Sequence, residues 1–177
     1  ESIVWGHNFK VSAANACLSN GTAIHSFELD DLHKTAILHP GGIAVPPALA
    51  MAEHIGGCDG KEFLTSVVAG YEVAIRVGMS VGTSHLQRGF HPTGTNGTFG
   101  AGAAAGRILR LSTEKMIHDL GISGSQAAGL MASQYGAMVR QMHVGRAAQS
   151  GVYGALLAQR GFTGITNILE ADYGGYC

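Results

Sequence analysis

The amino-acid sequence predicts an all-α domain of several helices that pack through small residues. Apolar residues recur at helical intervals along most of the chain, and neither a strand–helix alternation nor hairpin dipeptides appear. Glycine accounts for 27 of 177 residues, about twice its usual frequency, without a collagen-like or low-complexity period. We therefore expect the glycines at turns and at close helix crossings.

Composition describes an ordered chain that suits a single domain over residues 1–177. Hydrophobic residues make up 46% of the chain, whereas charged residues reach only 13%, about half the usual share. The 11 basic residues nearly balance the 12 acidic ones. This balance excludes a disordered chain and gives no indication of a nucleic-acid partner.

Cysteine usage and hydropathy point to the cytoplasm and away from a membrane. The three cysteines lack CxxC spacing, so the sequence predicts neither a disulfide framework nor a cysteine zinc site. The longest stretch without acidic or basic residues, 120–139, contains three serines, two glutamines and four glycines, which makes it too polar for a bilayer core. We expect a cytoplasmic chain with no membrane partner.

The first half of the chain predicts three helices. Residues 8–26 have apolar positions at helical spacing. A second helix over 45–55 begins with two prolines, which a first turn tolerates, and ends at a Gly-Gly pair. A third helix over 59–82 begins with a capping-box pattern, in which Glu62 follows an aspartate by three residues.

The second half predicts three more helices and one ambiguous segment. Residues 98–111 are mostly alanine and glycine, and a serine then restarts a helix over 112–124. The small-residue segment 127–142 fits either a helix or a loop. Apolar positions at helical intervals predict a last helix over 144–160, which Gly161 would end.

Two breaker-rich segments carry the chemistry between the helices. Residues 27–42 concentrate acidic and histidine side chains before a His-Pro-Gly-Gly cluster, and residues 88–97 contain a second His-Pro pair. The chain has nine histidines, and histidine titrates nearest neutral pH. Both segments are therefore expected to be loops that carry acid/base groups.

A metal or nucleotide site is the less favoured interpretation of these segments. The glycines of 100–106 have the wrong spacing for a dinucleotide fingerprint, although a helix that starts at Thr95 or Asn96 could hold a carboxylate on its first N–H groups. The histidine and carboxylate spacing matches no named metal motif, so we predict no metal and favour polar, capping or active-site roles. Six residues could in principle supply metal ligands: His25, Glu28, Asp30, Asp31, His33 and His39.

Three cationic positions recur at intervals of three: Arg140, His143 and Arg146. On a helix they would lie along one side and invite an anionic ligand. Alternatively they solvate a helix face or pair with the acids of 28–31, which spacing alone favours slightly. No GxSxG motif is present, so a serine nucleophile is not predicted.

The chain contains four segments, in this order: NGTAIHSFELDDLHKTAILHPGG, GYEVAIRVG, GFHPTGTNGTFGAGAAAGRIL and MHVGRAAQSGVYGALLAQRGFTG. In order and approximate spacing they resemble the MmgE/PrpD family over nearly the whole chain. That family includes methylcitrate dehydratase, cis-aconitate decarboxylase and iminodisuccinate epimerase. The resemblance implies acid/base chemistry on a small di- or tricarboxylate, no organic cofactor, and a homodimer.

The resemblance also implies a domain arrangement. Family members combine a large all-α domain with a smaller α/β domain that contributes a further catalytic lysine. Residues 1–177 resemble the main part of the helical domain only, so we expect them to be one domain of a longer two-domain enzyme.

The family's motifs fall on particular residues of this chain. The resemblance implies catalytic roles for the histidines of the HPG and FHP segments and for the acidic position of the HxxDxDD segment: His39, His91 and Glu28. It implies substrate-binding roles for a second group: Arg140, His143, Arg146 and Asp31.

Three positions depart from the commoner family pattern. Glu28 replaces Asp, Leu32 stands where Thr is frequent, and Arg140 replaces Lys. Arginine stays protonated and cannot readily act as a base, but its paired N–H donors can hold a carboxylate. The predicted function is a lyase or isomerase that dehydrates, decarboxylates or epimerises a polycarboxylate. The alternative is a non-catalytic helical fragment or oligomerisation module.

Overall fold

A computed structural model describes residues 1–177 and confirms the all-α class. Six α-helices dominate, with one short 3-10 turn and a two-stranded antiparallel sheet in which Ser2 pairs with Val11. In chain order the elements are β1 (Ser2–Ile3), β2 (Lys10–Val11), α1 (Ala13–His25), α2 (Pro40–His54), α3 (Gly60–Gln87), α4 (Pro92–Ile108), α5 (Thr113–Gly124), the 3-10 turn Met131–Gln134, and α6 (Val139–Gln159).

Helix α4 is the central element of the domain. It is buried along almost its whole length and packs against α2, α3, α5 and α6. Its glycines and alanines permit this, because a Cβ atom on Gly100 would lie 2.6 Å from the Ala74 Cβ of α3. A Cβ on Gly70 of α3 would likewise lie 2.8 Å from the Ala44 Cβ of α2. The predicted close helix packing is thus confirmed at these crossings.

A small apolar cluster supports the loop between α1 and α2. Leu38 at the end of this loop and Ile43 in the first turns of α2 are fully buried, and they pack with Val144 of α6. The cluster ties the loop to α2, α3 and α6. Packing in this cluster consequently fixes the position of the loop and of the start of α2.

Four helix starts differ from the sequence prediction by five or six residues. Helix α1 begins at Ala13 rather than at residue 8, because Ser12 caps it and the residues before pair in β2. Helices α2 and α4 begin at Pro40 and Pro92 rather than at 45 and 98, so Pro46 and Pro47 lie inside α2. Helix α6 begins at Val139, which resolves the end of the ambiguous segment as helix.

Helix α3 runs on to Gln87 and changes direction at Gly82, whose φ of 58° lies in the left-handed region. By length and composition alone this 28-residue helix could cross a membrane. One side of it, however, packs against α4 through buried Gly70 and Ala74, and its exposed side carries the Glu72–Arg76 ion pair. Its apolar composition is therefore explained in part by packing inside the domain.

Candidate active site

Two His-Pro pairs place a histidine at the start of α2 and of α4. Proline disfavours the helical conformation for the residue before it, and its own fixed φ suits the first helical position. His39 and His91 accordingly adopt extended N-cap conformations before Pro40 and Pro92. The two helix starts meet, because the His39 backbone N–H donates to the Thr93 hydroxyl at 3.2 Å.

A cavity of about 480 Å³ opens beside these helix starts. This volume falls in the range of about 300–1,000 Å³ that is usual for small-molecule sites. The loop after α1, the first turn of α4, the 3-10 turn and α6 form its walls. Its lining residues are Glu28, Asp30, Leu32, Ile37, His39, Leu86, His91, Pro92, Thr93, Met131, Gln134 and Arg140.

Asp30 lies between two histidines. One of its carboxylate oxygens, Oδ2, is 3.0 Å from Nδ1 of His25 and 3.4 Å from Nδ1 of His39. The His25 side chain is fully buried and that of Asp30 is 5% exposed. Burial lowers the pKa of His25, and the hydrogen bond and charge of Asp30 oppose this effect. These three residues are also the only group whose ligand atoms, all within 4.8 Å of one another, could hold a metal ion.

His91 contacts His143 of α6 through their Nδ1 atoms, which are 3.1 Å apart. Burial, and then the neighbouring histidines, lower the pKa of His91 to about 4. Burial and the charge of Arg140 lower the pKa of His143. Both rings are therefore neutral at neutral pH, and one Nδ1 must donate while the other accepts.

Arg140 forms an ion pair with Glu28 at the cavity wall. The alternative in which Arg140 pairs with the acids of 28–31 is thus confirmed. Its side chain is only 18% exposed, and its buried Nε has no hydrogen-bond partner. Glu28 has a left-handed backbone conformation with φ of 51°, which costs a non-glycine residue about 1–2 kcal/mol.

Of the four predicted substrate-binding residues, only Arg140 lines the cavity, and His143 contacts the lining residue His91. Asp31 and Arg146 lie outside it. The Asp31 carboxylate accepts from the Gly41 backbone N–H at 3.0 Å, at the start of α2. Arg146 donates to the Gln149 amide oxygen at 2.6 Å. Residues six apart on a helix differ by about 120° in direction, so Arg146 turns away from the side that carries Arg140. The substrate-binding roles of Asp31 and Arg146 stay predictions.

The sequence analysis placed His25 and Asp30 among six residues with metal, polar, capping or active-site roles, but gave neither a specific catalytic or substrate-binding role. The structure brings both against His39. The available signal was local, because His25 ends an apolar helix and the acidic loop follows directly. The expectation that α4 starts at Thr95 or Asn96 is wrong, since both residues are buried inside the helix.

Comparison with known proteins agrees with this architecture. The model of the MmgE/PrpD N-terminal domain matches residues 1–177. The chain belongs to the MmgE/PrpD family. The predicted family resemblance is therefore confirmed, and it extends over all 177 residues.

Several curated proteins resemble this MmgE/PrpD chain over 98% of its length. Cis-aconitate decarboxylase-like protein oryM of Aspergillus oryzae is 37% identical over 180 residues, which cover 37% of that protein. Cis-aconitate decarboxylase of Aspergillus terreus is 34% identical over 178 residues and 36% of its length. The human cis-aconitate decarboxylase is 33% identical over 178 residues and 37% of its length. The chain thus spans little more than a third of these relatives.

Proposed function

We propose that this MmgE/PrpD chain supplies acid/base and carboxylate-binding groups to a lyase that acts on a small polycarboxylate. The observation that carries the proposal is one cavity that combines two histidines, His39 and His91, with the guanidinium of Arg140, beside the starts of two helices. The names of the relatives favour decarboxylation of a cis-aconitate-like substrate. Dehydration and epimerisation use the same residue types and remain alternatives.

Decarboxylation requires fixed positive charge and a proton donor in such a site. Breaking the C–C bond releases CO₂ and leaves an electron pair that spreads towards a neighbouring carboxylate, so fixed positive charge must stabilise it. A proton must then be delivered to carbon. Arg140 can hold a carboxylate through paired N–H donors. An imidazole N–H of His91 can deliver the proton, and so can His39 after its Nε2 has taken up a proton from solvent.

The ion pair gives Glu28 a part in substrate binding. A substrate carboxylate that reaches Arg140 competes with Glu28 for the same N–H groups. The extra methylene of Glu28 relative to Asp extends its carboxylate by roughly one bond length, which is significant at catalytic tolerances. We propose that Glu28 orients Arg140 in the empty cavity and moves aside when substrate binds.

Activity of the protein as it is encoded tests the proposal. Cis-aconitate, citrate, methylcitrate and iminodisuccinate would be assayed with wild type, His91→Asn and the exposed-site control His54→Asn. We expect loss of about 10²–10⁴-fold for His91→Asn and little change for the control. Circular dichroism would establish that both variants fold. A loss below tenfold in a folded His91→Asn protein contradicts the assigned role.

A non-catalytic, interface-forming role is the second candidate. Large apolar side chains are exposed close in sequence to the cavity residues Glu28 and Arg140, namely Phe27 at 83%, Leu29 at 89% and Met138 at 90%. Exposed apolar patches of this kind mark interaction surfaces. If no polycarboxylate is turned over or bound while the protein sediments as an oligomer, this candidate is favoured.

The arrangement of the whole protein is also a proposal. We propose a homodimer located in the cytoplasm, in which the helical domain works with a smaller α/β domain. The exposed apolar side chains of Phe27, Leu29 and Met138 support a covering partner surface. Sedimentation of the encoded protein tests the dimer, and fractionation of cells tests the location.

A further inference from the structure

We propose that Asp30 is a positioning residue that fixes the ring tautomers of His25 and His39, so that His39 presents a bare Nε2 to the cavity. The catalytic consequence rests on the proposed function. The inference about the tautomers rests on the geometry alone.

Asp30 contacts the His25 ring directly. The His25 Nδ1 lies 3.0 Å from Oδ2 and 3.2 Å from Oδ1 of Asp30. A carboxylate only accepts hydrogen bonds, so the hydrogen of the neutral His25 ring must be on Nδ1. Nε2 of His25 is then the unprotonated nitrogen, which agrees with its lack of any partner within the buried interior.

The charge of Asp30 also bears on which nitrogen of His39 carries the hydrogen. Its Nδ1 is buried, forms no hydrogen bond and lies 3.4 Å from Oδ2 of Asp30. At that distance the negative charge of the carboxylate attracts a hydrogen on Nδ1, whereas it repels a lone pair there. The exposed 15% of the His39 side chain therefore belongs to the opposite edge of the ring, which borders the cavity and ends in Nε2.

Burial of the Asp30 carboxylate has a free-energy cost. A nearly buried carboxylate is unfavourable unless donors compensate its charge. The Nδ1–H of His25 donates to this carboxylate, and an Nδ1–H of His39 at 3.4 Å adds positive partial charge beside it. Because the loop that carries Asp30 lies on the apolar cluster of Leu38, Ile43 and Val144, the carboxylate is held in place relative to both rings.

Nitrogen NMR of the protein with ¹⁵N-labelled histidine measures the tautomers directly. The sample would be freed of metal ions with a chelator, so that no bound cation sets the tautomer. Resonances would be assigned with His25→Gln and His39→Gln variants. In wild type we expect protonated Nδ1 and bare Nε2 for both residues. A protonated Nε2 on His39 in wild type overturns the proposal, without need of any Asp30 variant.

Asp30→Asn tests the cause. The asparagine keeps the shape of the side chain, but it retains one acceptor oxygen and gains an NH₂ group that donates to a bare Nδ1. We expect at least one of the two rings to move to the Nε2–H tautomer. Asp31→Asn is the matched control, because Asp31 binds the Gly41 N–H and should leave both tautomers unchanged. Unchanged tautomers in folded Asp30→Asn overturn the proposal.

Kinetics separate this inference from the proposed function. In the active protein we expect Asp30→Asn to lower kcat by at least about 10²-fold with little change in KM, because it alters a base and not a substrate contact. Activity that persists in Asp30→Asn overturns the catalytic part. If no polycarboxylate is turned over by wild type while the tautomers behave as expected, the proposed function fails and the positioning by Asp30 stands.

Discussion

A Cβ atom on Gly21 of α1 would lie 2.8 Å from the Cα atom of Gly145 on α6, so the two helices touch backbone to backbone. This contact joins the two helices that carry His25 and His143. Gly145 follows His143 by two residues, and His25 ends the helix that carries Gly21. The separation of α1 and α6 thus affects the positions of His25 and His143, which contact the cavity residues Asp30 and His91.

We expect Gly145→Ala to destabilise the domain by about 1–3 kcal/mol, since its methyl group would meet the Leu18 carbonyl and the Thr22 side chain. Gly60→Ala is the control, because Gly60 opens α3 with free space around it. That change should be neutral or stabilise by up to about 1 kcal/mol. Urea unfolding of both variants checks this. Equal stability of the two would contradict backbone contact at the crossing.

Asp119 of α5 predicts a pH-dependent stability. Burial raises the pKa of its carboxyl to about 7, against the opposing Ser123 hydrogen bond. The unfolded value is about 3.9, so the folded state binds more protons between about pH 4 and 7. Stability from this group is therefore lost as the pH rises through that window, and the loss is complete above it.

Asp119→Asn removes the ionisation. We expect the difference in unfolding free energy to shift in favour of the variant by about 2–4 kcal/mol between pH 4 and pH 8. The shift is independent of any constant cost of the new amide. Asp172→Asn, at an exposed position, should run parallel to wild type. Parallel curves for Asp119→Asn as well would mean that Asp119 does not carry the pH dependence.

His91 should remain neutral across the physiological range. Its pKa of about 4 lies below the unfolded value of about 6.5, so the stability it contributes is present above pH 6.5 and lost as the pH falls towards 4. We expect the NMR signals of its ring to shift near pH 4 and to stay constant between pH 5 and 8. An inflection above pH 6 would show that the ring is far less buried than the structure places it.

The ion pair between Glu28 and Arg140 predicts opposite effects on anion binding. Glu28→Gln removes the competing negative charge, and we expect citrate to bind at least about tenfold more tightly. Arg140→Gln removes the cation and should weaken binding by a similar factor. Isothermal titration measures both, with Glu72→Gln as a surface control. If Glu28→Gln weakens citrate binding, Glu28 assists the ligand and does not compete with it.

Sequence reasoning succeeded where the signal is local. The breaker clusters before Pro40 and Pro92 place His39 and His91 between helices, and the small residues of α4 predict its central packing. The start of α2 was predicted too late because Pro46 and Pro47 match a first turn as well as Pro40 does. Only packing decides between them, since it holds a helix together past two missing N–H donors.

The partners of the site histidines could not be predicted for the same reason. The contact of His91 with His143 joins residues 52 apart in sequence. Asp30 and Asp31 are adjacent acids of equal chemistry, yet Asp30 contacts His25 and His39 whereas Asp31 accepts from the Gly41 N–H. Such choices depend on a tertiary arrangement that no spacing rule contains.

The two His-Pro pairs have a consequence for how the site tolerates mutation. The backbone of each histidine is restricted by the proline ring that follows it. Replacing either proline removes this backbone restraint, even when the side-chain neighbours of the histidine are unchanged. Pro40 and Pro92 are therefore two single positions at which a substitution would affect the site through the backbone alone.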